Sequence, residues 1–423
     1  MGASGVAAAV KASVIIVVHA GRERLDDSVA SLAGLERRAD TEVIVVDNGS
    51  SEALGEEARR RFPWVHVVRE ETNLGFAGGV CRGVEVASGE VLLLLNDDAA
   101  AAPEWLDAHL DALASRPEAA ASAGRLVSWD GSRNDFVRGV VTFDAHAFQL
   151  GQGRHIEDVA VPEVGEPLPF ACGGNLAVRR ADWDLVGGFD PNLFAYFEDV
   201  ELGWRLWAAG RPVIAAPSAI ARHRGMTTSN AFGNYRRGVL FERNALRVFF
   251  ACADDEHRAA LGAAVLVTFL HRLAAFAAAD PAMAGVLGEP FRGDVGGKPG
   301  HGERRREVNR RGVGGALRHL ISRVTRSPRE GEPCLDDGLL LMQLQAAEGF
   351  LQGLDRTTVR RRELEDVRRI PDREILARFP RLIVPAYTGD AEWFSSDGFR
   401  ELLPAGWPLQ ERALEDIIRR ADG

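Results

Sequence analysis

The N-terminal half of the chain is punctuated by short apolar runs that lack polar alternation: residues 13–18, 42–46 and 91–95. A run of this length, bounded by glycine or polar residues, predicts a strand buried on both faces, as in a parallel sheet. A further strand is predicted over 65–68. Between the runs the apolar spacing changes to that of helices. Val29, Leu32 and Leu35 mark one over 26–35, a short one covers 56–62, and a third follows the glycines of 73–79 as far as Ala87. Strand–helix alternation of this kind predicts an α/β fold with a mostly parallel sheet. The pattern continues with a helix over 103–113, Pro103 in its first turn, and a strand over 121–127. Residues 128–169 mix Gly, Asp, Val and Pro and predict loops and hairpins. Beyond them come a strand over 175–178 and a short helix over 183–187. An amphipathic helix then ends at Gly210, with Val200, Trp204 and Trp207 on one stripe and Leu202 and Leu206 on another. A strand over 212–216 and a polar loop over 221–227 complete this part.

Past Tyr235 the character changes. Helices are predicted over 238–250, 259–276, 336–353, 371–378 and 409–420, with a charged stretch at 358–370 and a short apolar run at 381–385. Residues 259–279 are apolar enough to raise the question of a membrane span. His271 and Arg272 inside the segment are costly at mid-bilayer and favour a buried helix. Residues 285–329 are rich in Gly and Arg, bury little, and predict a flexible linker. The organisation expected is a catalytic domain over 1–235 and a mainly helical region over 236–423.

Composition narrows the classes. At 46% hydrophobic and 26% charged residues the chain has the make-up of a soluble globular protein, and a net charge of −10 argues against nucleic-acid binding. The four cysteines show no C-x-x-C pairing, which speaks against a disulfide framework or a zinc site and for a reducing, cytoplasmic setting. The N-terminus lacks the basic leader and long apolar core of a signal peptide. The arginines between Gly302 and Glu330 admit two readings, a solvated linker and peripheral contact with an anionic membrane surface. Homo-oligomerisation through the helical region is also open.

The chemistry concentrates where the strands end. Asn96-Asp97-Asp98 follows the third apolar run, at the edge where open α/β sheets place their ligand crevice. Carboxylates gathered there call for a cation, and a hard divalent ion shared with phosphates is the usual solution. Asp47 occupies the end of the second strand, a place suited to a ribose or base. The loop from Asn73 through Gly75 to Gly79 permits close backbone approach before a helix N-terminus and suits an anion. Neither the dinucleotide fingerprint nor a P-loop is present. Gly173 and Gly174 offer a second close approach. Glu198 and Asp199 begin the amphipathic helix, where its dipole favours ionised carboxylates. His223 is a surface histidine or a metal ligand; spacing alone does not decide.

Taken in order, Val45-Val-Asp47-Asn-Gly-Ser50, Asn73-Leu-Gly-Phe-Ala-Gly-Gly79, Leu92-Leu-Leu-Leu-Asn96-Asp-Asp98, Cys172-Gly-Gly174, Gly187-Gly-Phe-Asp190 and Tyr196-Phe-Glu-Asp-Val-Glu-Leu-Gly-Trp-Arg205 resemble the family 2 glycosyltransferases, in particular the bacterial rhamnosyltransferase-like and galactofuranosyltransferase-like branches. The resemblance covers residues 12–250. It implies a glycosyltransferase A-type fold, Rossmann-like, and an inverting, metal-dependent transfer. The donor would be a UDP- or dTDP-sugar, and the acceptor a hydroxyl of a glycan, lipid-linked or small natural-product molecule. It further implies that Asp47, Asn73, Gly75, Asp97, Gly173 and Gly174 line the donor. Asp98 and His223 would hold Mn2+ or Mg2+, and Asp199, with Glu198 as alternate, would be the catalytic base. The chain departs from the family at Asn96, where the metal motif usually starts with Asp, and at Val18-His19-Ala20, where relatives often have Thr-Tyr-Asn. The competing class is a catalytically silent nucleotide-sugar-binding or scaffold module.

Overall fold

The computed structural model describes residues 11–34, 40–225, 233–279 and 338–418. The alternating apolar runs become β1 (Ala12–Val18), α1 (Arg22–Ser31), β2 (Thr41–Asn48), α2 (Leu54–Arg61), β3 (His66–Glu70), α3 (Gly75–Val86) and β4 (Val91–Leu95). Residues Val91 to Leu95 are buried throughout, which is why the run shows no alternation. Then follow β5 (Ala99–Ala101), α4 (Trp105–Ser115), β6 (Ala121–Ser128), the short strands β7 (Asn134–Phe136), β8 (Gly139–Val141) and β9 (Ala147–Gln149), β10 (Asn175–Arg179), α5 (Arg180–Val186), α6 (Glu198–Ala208) and β11 (Val213–His223). One nine-stranded sheet runs β3-β2-β1-β4-β10-β6-β11-β5, with β7 added on β6. The half from β3 to β4 is parallel, and β6 and β11 are parallel to each other. β10 is antiparallel to both β4 and β6, and β5 is antiparallel to β11. This is the α/β, Rossmann-like architecture that the resemblance implies, with an antiparallel strand set into it.

That reversal positions the site. Because β10 runs against β4, its first residue, Asn175, pairs with Leu95, the last residue of β4. Residues 172–174 therefore arrive beside 96–98. β11 ends with His223 opposite Ala99, the residue after Asp98. The sequence had suggested a strand over 212–216 and a polar loop over 221–227. Instead β11 continues to His223, with a shift in register between Ala215 and Ile220. Such an irregularity breaks the apolar pattern and hides the continuation of the strand.

The C-terminal region contributes α7 (Gly233–Cys252), α8 (Asp255–Ala279), α9 (Gly338–Gln352), α10 (Leu354–Val367), α11 (Asp372–Arg378), β12 (Arg381–Ile383), α12 (Asp390–Ser395), α13 (Asp397–Glu401), β13 (Leu409–Glu411) and α14 (Leu414–Ile417). The expected final helix over 409–420 is replaced by β13, which pairs with β12, and by the short α14; Pro408 and the polar 410–412 stretch favour an edge strand there. The expected linker at 285–329, its arginines and the N-terminal segment lie outside the described residues. Most of the helical core is continuous with that of the sheet: Phe249, Leu261, Phe350, Leu364 and Phe399 join Val14, Leu93 and Leu206 in one cluster. Phe276, Ala277, Leu340, Met342 and Leu344 form a smaller cluster between the helices themselves. α8 is long and apolar enough over Asp255–Ala277 to cross a membrane by composition. In the structure it packs His257, Leu261, Ala264, Val265 and Arg272 inside and leaves Leu266 and Leu270 exposed.

Two buried ionic networks join the helices to the sheet. Arg360 of α10 donates from Nε to Glu201 of α6 at 3.1 Å and from its two Nη groups to the Gly187 and Gly188 carbonyls at 3.0 and 2.7 Å. Arg272 of α8 pairs with Asp144 at 2.7 Å and Asp390 at 2.9 Å, while His146 lies 3.1 Å from Glu242 of α7. Removing one member of such a buried set costs about 3–5 kcal/mol, because the remaining charge stays desolvated.

Candidate active site

Residues from four separate segments meet at the C-terminal ends of β4 and β11. The Asn96 N–H donates to the Gly174 carbonyl at 3.3 Å, and an added Cβ on Gly174 would lie 2.8 Å from the Asn96 amide nitrogen. Glycine at 174 is thus required by the closeness of the two loops. The Gly173 N–H, one residue earlier, donates to Asp199 Oδ2 at 3.0 Å. Asn96, Gly174, Gly173 and Asp199 form a continuous chain of contacts from the end of β4 to the start of α6.

On one side of that chain lie Asp97, Asp98 and His223. Asp98 Oδ1 is 2.9 Å from His223 Nε2, and the Asn96 amide nitrogen is 3.2 Å from the same ring nitrogen. The other ring nitrogen, Nδ1, is 2.5 Å from Asp135 Oδ2 on β7. Burial opposes the His223 imidazolium, but its bonds to Asp135 and Asp98 outweigh burial and push its pKa up to about 10. Asp97, buried and beside the Asp98 charge, is pushed up to about 7. Asp98 and His223 offer one carboxylate and one imidazole at a common point, and Asp135 orients the ring from behind, as carboxylates do for metal-binding histidines. Among the described residues no three His, Cys, Asp or Glu side chains close into a metal cage. A hard divalent ion held at this corner would complete its oxygen shell from phosphates.

On the other side lie Glu198 and Asp199. Asp199 is fixed by two backbone donors, the Gly173 N–H on Oδ2 and its neighbour Val200 N–H on Oδ1 at 2.8 Å. Glu198 is buried, and its Oε2 has no hydrogen-bond partner among the described residues. Burial, reinforced by the Asp199 charge, raises the Glu198 pKa well above the carboxylate range; burial also raises that of Asp199, while its backbone donors pull it back down. The pair therefore favours an ionised Asp199 beside a protonated Glu198.

The turn before α6 is conformationally unusual. Phe194, Tyr196 and Phe197 all have positive φ, at 68°, 71° and 69°. Non-glycine residues hold that region only under outside constraint, and such residues cluster at functional sites. Asn244 of α7, fully buried, supplies the constraint: its Nδ2 donates to the carbonyls of Leu193, Ala195 and Tyr196 at 3.0, 2.9 and 2.8 Å. Arg243 and Arg247 add bonds to Leu193 and Asn192 at 2.8 Å each. Gly75, at φ 75°, lies against this turn, and any Cβ there would sit 2.2 Å from the Phe194 carbonyl oxygen.

Other positions picked from the sequence are engaged inside the protein. Asp47 is fully buried; its carboxylate accepts from the N–H groups of Ser50 and Gly55 at 2.9 and 3.1 Å and from Arg69 at 2.6 Å. These three bonds brace the β2–α2 turn around the Asp47 carboxylate. Asn73 accepts from Asn48 at 3.1 Å and from the Gly75 N–H at 2.8 Å, which ties the 73–75 loop to the same turn. Trp204 and Trp207 are core residues: their indole N–H groups donate to Asp372 and to the Leu168 carbonyl, at 2.9 and 2.8 Å. Cys81, Cys172 and Cys252 are free thiols. Sequence reasoning missed Asp135, which lies in the stretch expected to be irregular, and Asn244, one polar residue in a helix; neither belongs to a motif.

A mixed α/β sheet with acids and a histidine at the strand ends, facing a carboxylate pair at a helix start, defines a group-transfer enzyme of the α/β class. Residues 13–187 match the family model of Glycosyl transferase family 2, so this part of the chain is a glycosyltransferase domain of that kind. It is 29% identical over 237 residues to the N-acetylglucosaminyl-diphospho-decaprenol L-rhamnosyltransferase of Mycobacterium tuberculosis, covering 51% of this chain and 76% of that protein. It is 27% identical over 258 residues to N-acetylgalactosaminyltransferase 6 of Drosophila melanogaster, covering 57% of this chain and 38% of that protein. Among solved structures, a mannosyltransferase from Pyrobaculum calidifontis in complex with GDP-Man and Mn2+ aligns with a TM-score of 0.42 at 16% identity, over 81% of this chain and 87% of that one.

Proposed function

We propose that the chain transfers a sugar, with inversion, from a UDP- or dTDP-sugar to a hydroxyl of a glycan, lipid-linked or natural-product acceptor, at the cytoplasmic side of a cell envelope. The observation that carries this reading is the contact chain Asn96–Gly174–Gly173–Asp199, which sets a fixed carboxylate across from the Asp98–His223 corner. Asp98 and His223 are the residues that would hold Mn2+ or Mg2+, which supplies Lewis-acid stabilisation of a leaving diphosphate. Asp97 and the backbone of Gly173 and Gly174 border the donor between the two sides. Asp199 takes the proton of the acceptor hydroxyl. Its two backbone donors fix its orientation, and burial raises its basicity toward the range a general base needs. The acceptor of the mycobacterial relative, a sugar joined to a lipid through a diphosphate, supports the lipid-linked class.

The test is Asp199→Asn with a panel of UDP- and dTDP-sugars. Transfer falls by at least a thousandfold, while donor binding by calorimetry in the presence of Mn2+ stays within a few fold. Normal turnover in Asp199→Asn, with loss in Glu198→Gln, would move the base to Glu198. Donor binding with no turnover in the wild-type protein across the panel and a range of acceptors would favour a silent binding module.

A further inference from the structure

A second cavity lies behind α6, lined by β8, α11, the β12–β13 pair and α14, with a volume of about 560 Å³. None of Asp97, Asp98, Glu198, Asp199 and His223 lines it. Four arginines do: Arg138, Arg378, Arg381 and Arg412. Arg138 is paired with Glu166 at 3.0 Å. The other three form no salt bridge among the described residues, Asp372 acts on Arg381 only through its field, and Asp416 is the single acid of the lining. Arg381 is the telling member. It is 5% exposed and lies over the Trp204 ring, 4.1 Å from the centroid, and its guanidinium donates no hydrogen bond to a described residue. Burial pulls its pKa down to about 10. A guanidinium so far withdrawn from bulk water, with no salt-bridge partner and facing a cavity, is a ready partner for an anion. Arg378 is stacked on Trp207, 5.3 Å from the ring centroid, which leaves its N–H edge for a ligand. The rest of the wall is apolar, with Leu150, Leu382 and Ile417. The volume is that of a small-molecule site rather than of a lone ion.

We infer that this cavity binds a phosphate ester with an apolar substituent, the phosphate taken by Arg378, Arg381 and Arg412 and the substituent by the apolar wall. Three unpaired guanidiniums suit a dianion better than a single carboxylate.

The probes are octyl phosphate, inorganic phosphate and octyl glucoside, measured by calorimetry on the whole chain in EDTA at low salt. The variant is Arg378→Gln/Arg412→Gln, both exposed positions where loss of the fold is not at issue. His223→Gln controls for anion binding at the strand-end corner. Octyl phosphate binds the wild type and His223→Gln alike, at least tenfold more tightly than either partial probe, and at least tenfold more weakly to the double variant. Vesicles containing phosphatidic acid identify the source. Co-sedimentation of the wild type but not of the double variant assigns a lipid headgroup, whereas octyl phosphate binding without co-sedimentation assigns a soluble ester. Equal affinity in the double variant, loss in His223→Gln, or no gain of octyl phosphate over inorganic phosphate overturns the inference.

Discussion

Asn244 gives the sharpest test of how the acids are held. Its side chain bonds three carbonyls of the turn that carries Phe194, Tyr196 and Phe197 at positive φ. Keeping three non-glycine residues left-handed costs about 1–2 kcal/mol each, so roughly 3–6 kcal/mol must be supplied by the surroundings. In Asn244→Ala, Leu193 keeps its bond from Arg243, but Ala195 and Tyr196 lose the amide. At about 1–3 kcal/mol for each buried group left short of a partner, the loss is roughly 2–6 kcal/mol. The two figures are of the same size, so the turn no longer stays put, and Glu198 and Asp199 move with it. A displacement of about 1 Å at a catalytic group costs on the order of a hundredfold in rate. The expected result is a hundredfold fall in transfer, with faster hydrogen exchange at the amides of 197–200 while those of β1 and β4 stay protected. Asn244→Asp serves as the discriminating variant. It keeps the shape, removes both N–H groups and turns a buried carboxylate toward carbonyl oxygens, so it is worse than alanine. Wild-type turnover and unchanged exchange at 197–200 in Asn244→Asp would refute the reasoning.

Two further predictions concern the charged networks. In Asp135→Asn the carboxylate behind His223 is lost; affinity for Mn2+ falls by about 10- to 100-fold in calorimetry, and an unchanged affinity would remove Asp135 from the metal corner. Stability should also depend on pH through His146. Burial opposes its charge, but Asp144 and Glu242 overcome this and raise it from 6.5 to about 9. Its contribution is full below pH 6.5 and is lost as pH rises to about 9, by roughly 3–4 kcal/mol. Glu242, lowered from 4.5 to about 2, adds stability above pH 4.5 that is lost as pH falls toward 2. Chemical denaturation in steps across pH 4–10 should show the alkaline loss, and His146→Gln should flatten it.

The sequence carries the sheet well, because strands buried on both faces leave unbroken apolar runs and each such run here became a parallel strand. It carries β11 poorly, because the register shift after Ala215 interrupts the pattern just before the His223 end. Asp98 and His223 are far apart in the chain yet 2.9 Å apart in space. A strand-end acid is legible from its position, but the pairing of β11 with β5 that delivers the histidine is a property of the sheet alone. Asp47 shows the opposite case. An acid at a strand end reads as a ligand, while its three bonds to Ser50, Gly55 and Arg69 show that a turn can demand the same residue.

The C-terminal region was least legible in function, since helices announce their apolar stripes and nothing about which loop they grip. Once placed, its polar residues point the same way. Asn244, Arg243 and Arg247 hold the turn before α6, and Arg360 holds both the body of α6 through Glu201 and the Gly187–Gly188 turn behind it. Trp204 hands α6 on to Asp372, which also takes His257 at 2.8 Å and Arg368 at 3.0 Å. The helix bearing the carboxylate pair is thus fixed at its start, middle and back by residues beyond 235. The composition changes at that point, but the packing does not. An ionised Asp199 beside a buried Glu198 is an unfavourable arrangement that a free loop would relax, and the helices supply the rigidity that keeps it.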